Sequence, residues 1–307
     1  MPTRILPFGD KAIAEAAALI AAGEVVAVPT ETVYGLAGDA TSEAAVAAIY
    51  AAKGRPSFNP LIVHVRDLAA AMKIAVFSPA ALDLAGKHWP GPLTLVLPVR
   101  PDAGLANAVT AGLSTIAIRV PAHRAMQALL AATGKPLAAP SANASGTISP
   151  TRAEHVLKSL DGRIPLIIDD GATSGGIEST IVAVTDGQVR LLRPGPVDLD
   201  VPLEAGSKIE APGQLAAHYA PSKPLRLNAT EPHADEWHIG FGPVTGNATL
   251  SATGNLTEAA SRLFDLLHAA DASGAPRIAV APVPHTGIGI AINDRLRRAA
   301  VGSGVHP

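Results

Sequence analysis

Four short segments concentrate the residues that could do chemistry. The first, Pro29-Thr30-Glu31-Thr32-Val33-Tyr34-Gly35-Leu36, directly follows an apolar run and places three side-chain acceptors in succession. Isolated, a Thr-Glu-Thr is equally a capped turn. The second, Lys53-Gly54-Arg55-Pro56-Ser57-Phe58-Asn59-Pro60, sets Lys and Arg two residues apart, close enough to converge on one anion. A triphosphate needs such neutralisation, and a planar guanidinium suits phosphate oxygens. A solvated basic loop after a helix reads the same way, since Lys also complements the dipole at a helix C-terminus. His64 lies in the apolar run just beyond, either a satisfied core residue or a ligand contact.

The third segment, Ser114-Thr115-Ile116-Ala117-Ile118-Arg119-Val120-Pro121, puts Arg119 into an otherwise apolar strand. A buried guanidinium is costly without a carboxylate. Either a protein acid or a substrate carboxylate must meet it. The fourth, Ala139-Pro140-Ser141-Ala142-Asn143-Ala144-Ser145-Gly146, running on to Ser149, combines small hydroxyl and amide side chains with Gly. Such a loop lets backbone amides approach a phosphate.

Other chemistries find no support. Neither Gly86-Lys87 nor Gly134-Lys135 sits in a Walker A frame, and Gly287-Ile288-Gly289 lacks the third glycine of a dinucleotide fingerprint. The ten histidines are scattered without a His-Glu-x-x-His motif and there are no cysteines, so zinc, disulfide and thiolate chemistry are not expected.

These segments need a scaffold. Helix periods are predicted over 11–22 (with Gly23 as a left-handed cap), 42–52, the stretch after a capping Asp67, 122–132 and 153–160, the last capped by Thr151. Strands are predicted over 25–28, 61–65, 93–97, 115–120, 136–139, 166–169, 180–184 and 189–193, with a hairpin at Asp186-Gly187. That order implies an α/β domain with a mixed, partly antiparallel sheet, spanning 1–197. Prolines at 202, 212, 221 and 224 then break the pattern, giving a linker over 198–224, too long for an ordinary connection. A smaller α/β domain, Rossmann-like, follows over 225–307, with strands at 225–227, 239–241 and 278–283 and helices at 256–268 and 290–300.

Composition agrees with this architecture. Hydrophobic residues make up 48% against 16% charged, the reverse of a disordered chain, and with only 3% aromatics the core must be built from Ala, Val, Leu and Ile. The net charge is −2, and the first two hundred residues hold 16 basic and 17 acidic side chains, which disfavours a broad nucleic-acid surface. With no signal-like N-terminus and no apolar run of membrane-spanning length, the expectation is a soluble cytoplasmic protein.

Taken together, the segments resemble the YrdC family in its longer, two-domain form, the threonylcarbamoyl-AMP synthases. The resemblance adds Trp89-Pro90-Gly91-Pro92-Leu93-Thr94-Leu95, Glu178-Ser179-Thr180-Ile181-Val182, Leu192-Arg193-Pro194-Gly195, His218-Tyr219-Ala220-Pro221 in the linker, and Ala291-Ile292-Asn293-Asp294-Arg295-Leu296-Arg297-Arg298-Ala299 near the end. Gln214 departs from it, where an apolar residue is expected.

The resemblance implies a central cavity in the first domain, closed by the linker. It implies a nucleotidyltransferase that makes threonylcarbamoyl-AMP from L-threonine, bicarbonate and ATP with magnesium, without zinc, flavin or NAD. By the same resemblance, Thr32, His64, Arg119 and Ser179 hold threonine. Lys53 and Arg55 do the catalytic phosphate work. Arg55, Asn59, Thr115, Ser141, Asn143, Ser149, Arg193 and Tyr219 hold ATP, and no side chain ligates a metal. The product goes to a separate tRNA threonylcarbamoyl transferase, so no tight tRNA grip and no membrane are expected. An RNA-binding module of the same fold is the alternative.

Overall fold

In the computed structural model, residues 2–203, 210–213 and 215–304 are described; Gln214 and part of the linker lie outside them. The first half runs β1 (Arg4–Pro7), α1 (Asp10–Ala21), β2 (Val26–Pro29), β3 (Tyr34–Asp39), α2 (Glu43–Lys53), β4 (Ile62–His64), α3 (Leu68–Met72), α4 (Pro79–His88), β5 (Leu93–Pro98), β6 (Thr115–Arg119) and α5 (Arg124–Thr133). It continues with β7 (Leu137–Ala138), α6 (Ala153–Leu160), β8 (Leu166–Asp169), β9 (Thr180–Thr185) and β10 (Gln188–Arg193). The remainder holds β11 (Leu225–Arg226), β12 (Glu236–Gly240), β13 (Ala248–Thr249), α7 (Leu256–Ala272), β14 (Arg277–Val280) and α8 (Gly289–Gly302).

Ten strands form one mixed sheet in the order β1-β8-β2-β3-β7-β4-β6-β5-β9-β10. The central strands read as unbroken apolar runs because both faces are covered. Val26, Ala27 and Val28 are all fully buried, as are Leu93, Leu95 and Leu97 on β5. The β9–β10 hairpin turns at Asp186 (φ 52°) and Gly187 (φ 74°), the positive pair that a tight two-residue hairpin requires. Asp67 caps α3 by accepting from Ala70 N at 2.8 Å, and Gly23 is left-handed (φ 86°) just after α1.

Three elements carry no clear sequence signal. β1 is an edge strand with a largely exposed Arg-Ile-Leu-Pro sequence and shows no alternation to read. β3 hides within the first chemical segment. α4 has mostly Ala as its apolar side and announces itself only by Ser78-Pro79, the cap and first helical residue. One expected cap is corrected. Arg152, not Thr151, is the residue preceding α6, and Thr151 instead stands 3.3 Å from His155 Nδ1.

The second sheet, β11-β14-β12-β13, is parallel throughout and packs on α7 and α8. The second domain packs closely against the first through α7. A Cβ on Gly176, in the loop before β9, would fall 2.4 Å from Ala260 O of α7. Tyr219 of the linker packs into the second core, its ring 5.5 Å from that of Phe264.

Candidate active site

Strand ends build the site. The turn between β2 and β3 supplies Thr30 and Thr32, whose hydroxyls are 2.8 Å apart, with Thr30 Oγ1 donating to Val33 O at 2.7 Å. β4 ends on His64 and the parallel β6 on Arg119, partners in register. The left-handed Gly54 (φ 59°) ends α2 and turns Arg55 inward. These groups border a cavity of about 50 Å³ with Ser141, Glu178, Ser179, Arg193, Pro212, Gly213, His218 and Tyr219. Small-molecule pockets usually hold roughly 300–1,000 Å³. Here the linker residues occupy one wall and leave a remnant.

Eight of the expected site residues meet at this cavity: Thr32, Arg55, His64, Arg119, Ser141, Ser179, Arg193 and Tyr219. Five do not line it. Lys53 turns its Nζ to the carbonyls of Ser141 and Asn143, both at 2.5 Å, and so braces the 141–146 loop. Asn143 donates to Ala144 O and Thr147 O at 3.0 Å each, and Asn59 sits buried behind Arg55. Thr115 lies at the far end of β6 from Arg119. Ser149 reaches the cavity through Glu178, to whose Oε1 it donates at 2.5 Å.

Electrostatically the site is cationic. Arg55 donates to Asn59 O (3.1 Å) and Pro60 O (2.9 Å), and Arg193 to Ser179 O (2.9 and 3.1 Å) and Pro212 O (3.3 Å). Backbone carbonyls, with the Ser179 hydroxyl on Arg193, thus take the hydrogen bonds of both guanidiniums. Burial pushes Arg55 down to about 10 and lowers Arg193, while burial and then Arg55 hold Lys53 well below the usual lysine range. A bound polyanion would relieve all three. Burial, then the Arg119 charge, takes His64 to about 3, so it offers a neutral ring.

On the opposite wall Arg119 donates to Gly91 O (3.1 Å) and Thr32 Oγ1 (3.0 Å), and Glu31 Oε1 stands 2.6 Å from its Nη2. Burial, the largest single influence, would raise the Glu31 carboxyl, but the Arg119 charge, the close contact with its guanidinium and nearby backbone N–H groups together bring the net shift downward. Ser179 Oγ pairs with Thr94 Oγ1 at 2.7 Å and accepts from Arg193 at 3.1 Å. Among the described residues ten carry buried polar side-chain atoms without a hydrogen-bond partner, and seven of these belong to the site or its rim: Glu31, Asn59, His64, Arg119, Asn143, His218 and Tyr219. Native proteins pair nearly all such groups, so this concentration marks where a polar ligand is met.

Sequence reasoning gives no role to Glu31, Glu178, His218 or Arg295. Glu178 is adjacent to Ser179 within a segment that carries the family resemblance, and that adjacency is the available signal. Arg295 also lies in a segment that carries the resemblance, but its partner is 117 residues away, so nothing local points to the pairing.

An α/β sheet that gathers guanidiniums and small hydroxyls at its strand ends defines a class: proteins that hold a phosphate-bearing and a carboxylate-bearing ligand side by side. Over residues 18–195 the chain matches the model of the Sua5/YciO/YrdC family, described as telomere recombination. Over 177–301 it matches the model described as threonylcarbamoyl-AMP synthase, C-terminal domain. It is 42% identical over 330 residues to the threonylcarbamoyl-AMP synthase of Bacillus subtilis, covering 97% of this chain and 95% of the relative. To that of Pyrococcus abyssi it is 37% identical over 317 residues, covering 93% of each. The crystal structure of P. abyssi Sua5 complexed with L-threonine matches with a TM-score of 0.89 at 35% identity, over 98% of each chain. The chain belongs to the Sua5/YciO/YrdC family.

Proposed function

We propose that this protein is the nucleotidyltransferase that forms L-threonylcarbamoyl-AMP from L-threonine, bicarbonate and ATP, releasing pyrophosphate. The observation that carries the reading is the two-sided cavity. Arg119 has a buried Nη2 without an aligned acceptor on one side, and Arg55 and Arg193, whose hydrogen bonds go to backbone carbonyls and the Ser179 hydroxyl, stand on the other.

On the amino-acid side, Arg119 takes the threonine carboxylate, with Thr32, His64 and Ser179 around the rest. The neutral His64 ring adds no charge to compete for that carboxylate. On the nucleotide side, Arg55, Arg193, Ser141 and Tyr219 meet ATP directly. Lys53 and Asn143 hold the 141–146 loop in shape, Ser149 acts beside Glu178, and Asn59 and Thr115 complete the set. Threonine's amine attacks carbon dioxide derived from bicarbonate, giving a carbamate. A carbamate oxygen then attacks the α-phosphorus, and pyrophosphate leaves with the electrons of the broken P–O bond. Holding the reactants together and neutralising phosphoryl charge supply the rate.

Among the described residues no group of three or more His, Asp or Glu side chains could hold a metal ion. Magnesium would be carried mostly by the phosphate oxygens of ATP and by water. No helix among the described residues is long and apolar enough to cross a membrane, and we place the reaction in the cytoplasm. The adenylate passes to a separate transferase that modifies adenosine 37 of ANN-decoding tRNAs. The RNA-binding alternative is not favoured, because the buried cations face a recessed pocket rather than a surface track. The test is incubation with ATP, bicarbonate and single amino acids, following pyrophosphate and the mass of the adenylate. Release that is indifferent to threonine would sink the reading.

A further inference from the structure

The second sheet and its helices stand outside every role assigned above, yet α8 contacts a residue that lines the cavity, Glu178. Arg295, midway along it, is fully buried at 0% side-chain exposure. Its Nε donates to Glu178 Oε2 at 3.0 Å, and its Nη1 to Pro194 O at 2.7 Å and Asp294 Oδ2 at 3.1 Å. The guanidinium carbon stands 5.6 Å from the centre of the Tyr219 ring. Removing one member of such a buried set strands the others.

Glu178 is the partner that matters for chemistry. It lines the cavity, and its other oxygen, Oε1, accepts from Ser149. One carboxylate thus bridges a hydroxyl on the nucleotide side and a cation delivered from the second domain. Ser179, the next residue, depends on Thr94 and Arg193, both from the first sheet. Arg295 also reaches the Glu178 carbonyl at 3.4 Å, but the hydroxyl of Ser179 on the amino-acid side is held by the first sheet, whereas the Glu178 carboxylate beside Ser149 is held by α8. One turn further along α8, Arg298 donates to Leu215 O at 2.6 Å, and its carbonyl accepts from His218 N at 3.3 Å, so the same helix also holds the linker.

We propose that Arg295 is a positioning residue of the synthase site, through which the second domain fixes Glu178, Ser149 and the Tyr219 ring for the nucleotide. This rests on the reading given under Proposed function. It assigns the second domain a share in ATP binding.

The test uses the full chain with Arg295→Lys and Arg295→Ala, measuring pyrophosphate release against ATP and against threonine, together with Tm. The KM for ATP is expected to rise about tenfold while that for threonine stays within about twofold, the size expected when one charge-assisted hydrogen bond is removed from the nucleotide side alone. Methylguanidinium in solution should restore part of the ATP affinity to Arg295→Ala. A folded Arg295→Lys with unchanged KM for ATP overturns the proposal. So do equal rises in both constants without guanidinium rescue, which describe a domain clamp and nothing more. Should Arg295→Ala not fold, Glu178→Gln keeps the shape and removes the charge; the same one-sided rise is expected, and an equal or absent effect overturns it. Equilibrium ATP binding by the wild type and Arg295→Lys separates the two readings. If the wild type binds ATP but makes no adenylate, the function assigned above fails while the positioning role is still decided.

Discussion

Arg119 Nη2 lies 2.6 Å from Glu31 Oε1, in ionic contact but without the alignment of a hydrogen bond. The acid neutralises the buried guanidinium without saturating it. Charge compensation comes from the protein, and directional capacity remains for a second carboxylate.

That arrangement predicts the behaviour of Arg119→Lys. A lysine keeps the charge but cannot serve Gly91 O, Thr32 Oγ1, Glu31 and a two-pronged substrate carboxylate together. The KM for threonine should rise by about tenfold or more, with the KM for ATP changed by less than about twofold. Steady-state kinetics against each substrate check this, and an unaltered threonine dependence would remove Arg119 from the role.

Asn59 gives the opposite signature. It is buried with 1% exposure, and neither Oδ1 nor Nδ2 has a partner. Asn59→Leu replaces an unsatisfied amide by an apolar group of similar shape, so the free protein should gain about 1–3 kcal/mol. The same change should weaken ATP binding if the amide is completed by the nucleotide. Denaturant titration and isothermal calorimetry measure the two effects. A variant that is destabilised, or stabilised with full ATP affinity, would contradict the assignment.

Buried histidines set the pH dependence. Burial brings His64 and His268 to about 3 and holds His218 well below the ordinary histidine value of 6.5. Above 6.5 these rings are neutral folded and unfolded, and contribute no slope. Below it the unfolded chain takes up protons that the folded chain refuses, so stability falls as pH drops from about 6.5 towards 3, by up to about 1.4 kcal/mol per pH unit and group. Urea midpoints between pH 8 and pH 4 should decline accordingly. His268→Gln, which removes one such group, should flatten the decline; an unchanged slope would show that carboxylates dominate it.

The legible parts of this molecule are those whose signal is local. Apolar runs such as 93–97 and 166–169 announce buried strands, and Asp186-Gly187 announces its hairpin because tight turns demand positive φ. The polar segments are legible for a related reason: hydroxyls and guanidiniums at strand ends have no packing purpose to explain them. What stays hidden depends on direction and on distant partners. Lys53 and Arg55 are two residues apart, yet the left-handed Gly54 sends one onto loop carbonyls and the other into the cavity. Thr115 and Arg119 share a strand but stand at its opposite ends. No periodicity reports that Arg295 crosses from the second domain to Glu178, since that contact exists only once both sheets are packed.

The linker's part in catalysis can be tested at one glycine. Gly213 is left-handed (φ 84°), and a Cβ there would fall 2.7 Å from Tyr219 Oη and 3.0 Å from Arg193 Cδ and Nη1. These atoms belong to two buried side chains assigned to ATP, so Gly213→Ala presses on side chains rather than on backbone. The left-handed strain itself costs about 1–2 kcal/mol, a modest loss in Tm. If the 212–221 segment closes over the nucleotide, the KM for ATP should rise about tenfold while threonine binding, on the Arg119 wall, is preserved. If the segment merely tethers two domains, the strain should appear in Tm alone and both constants stay at wild-type values. Kinetics and thermal unfolding of this one variant therefore distinguish a closing wall from a passive connection.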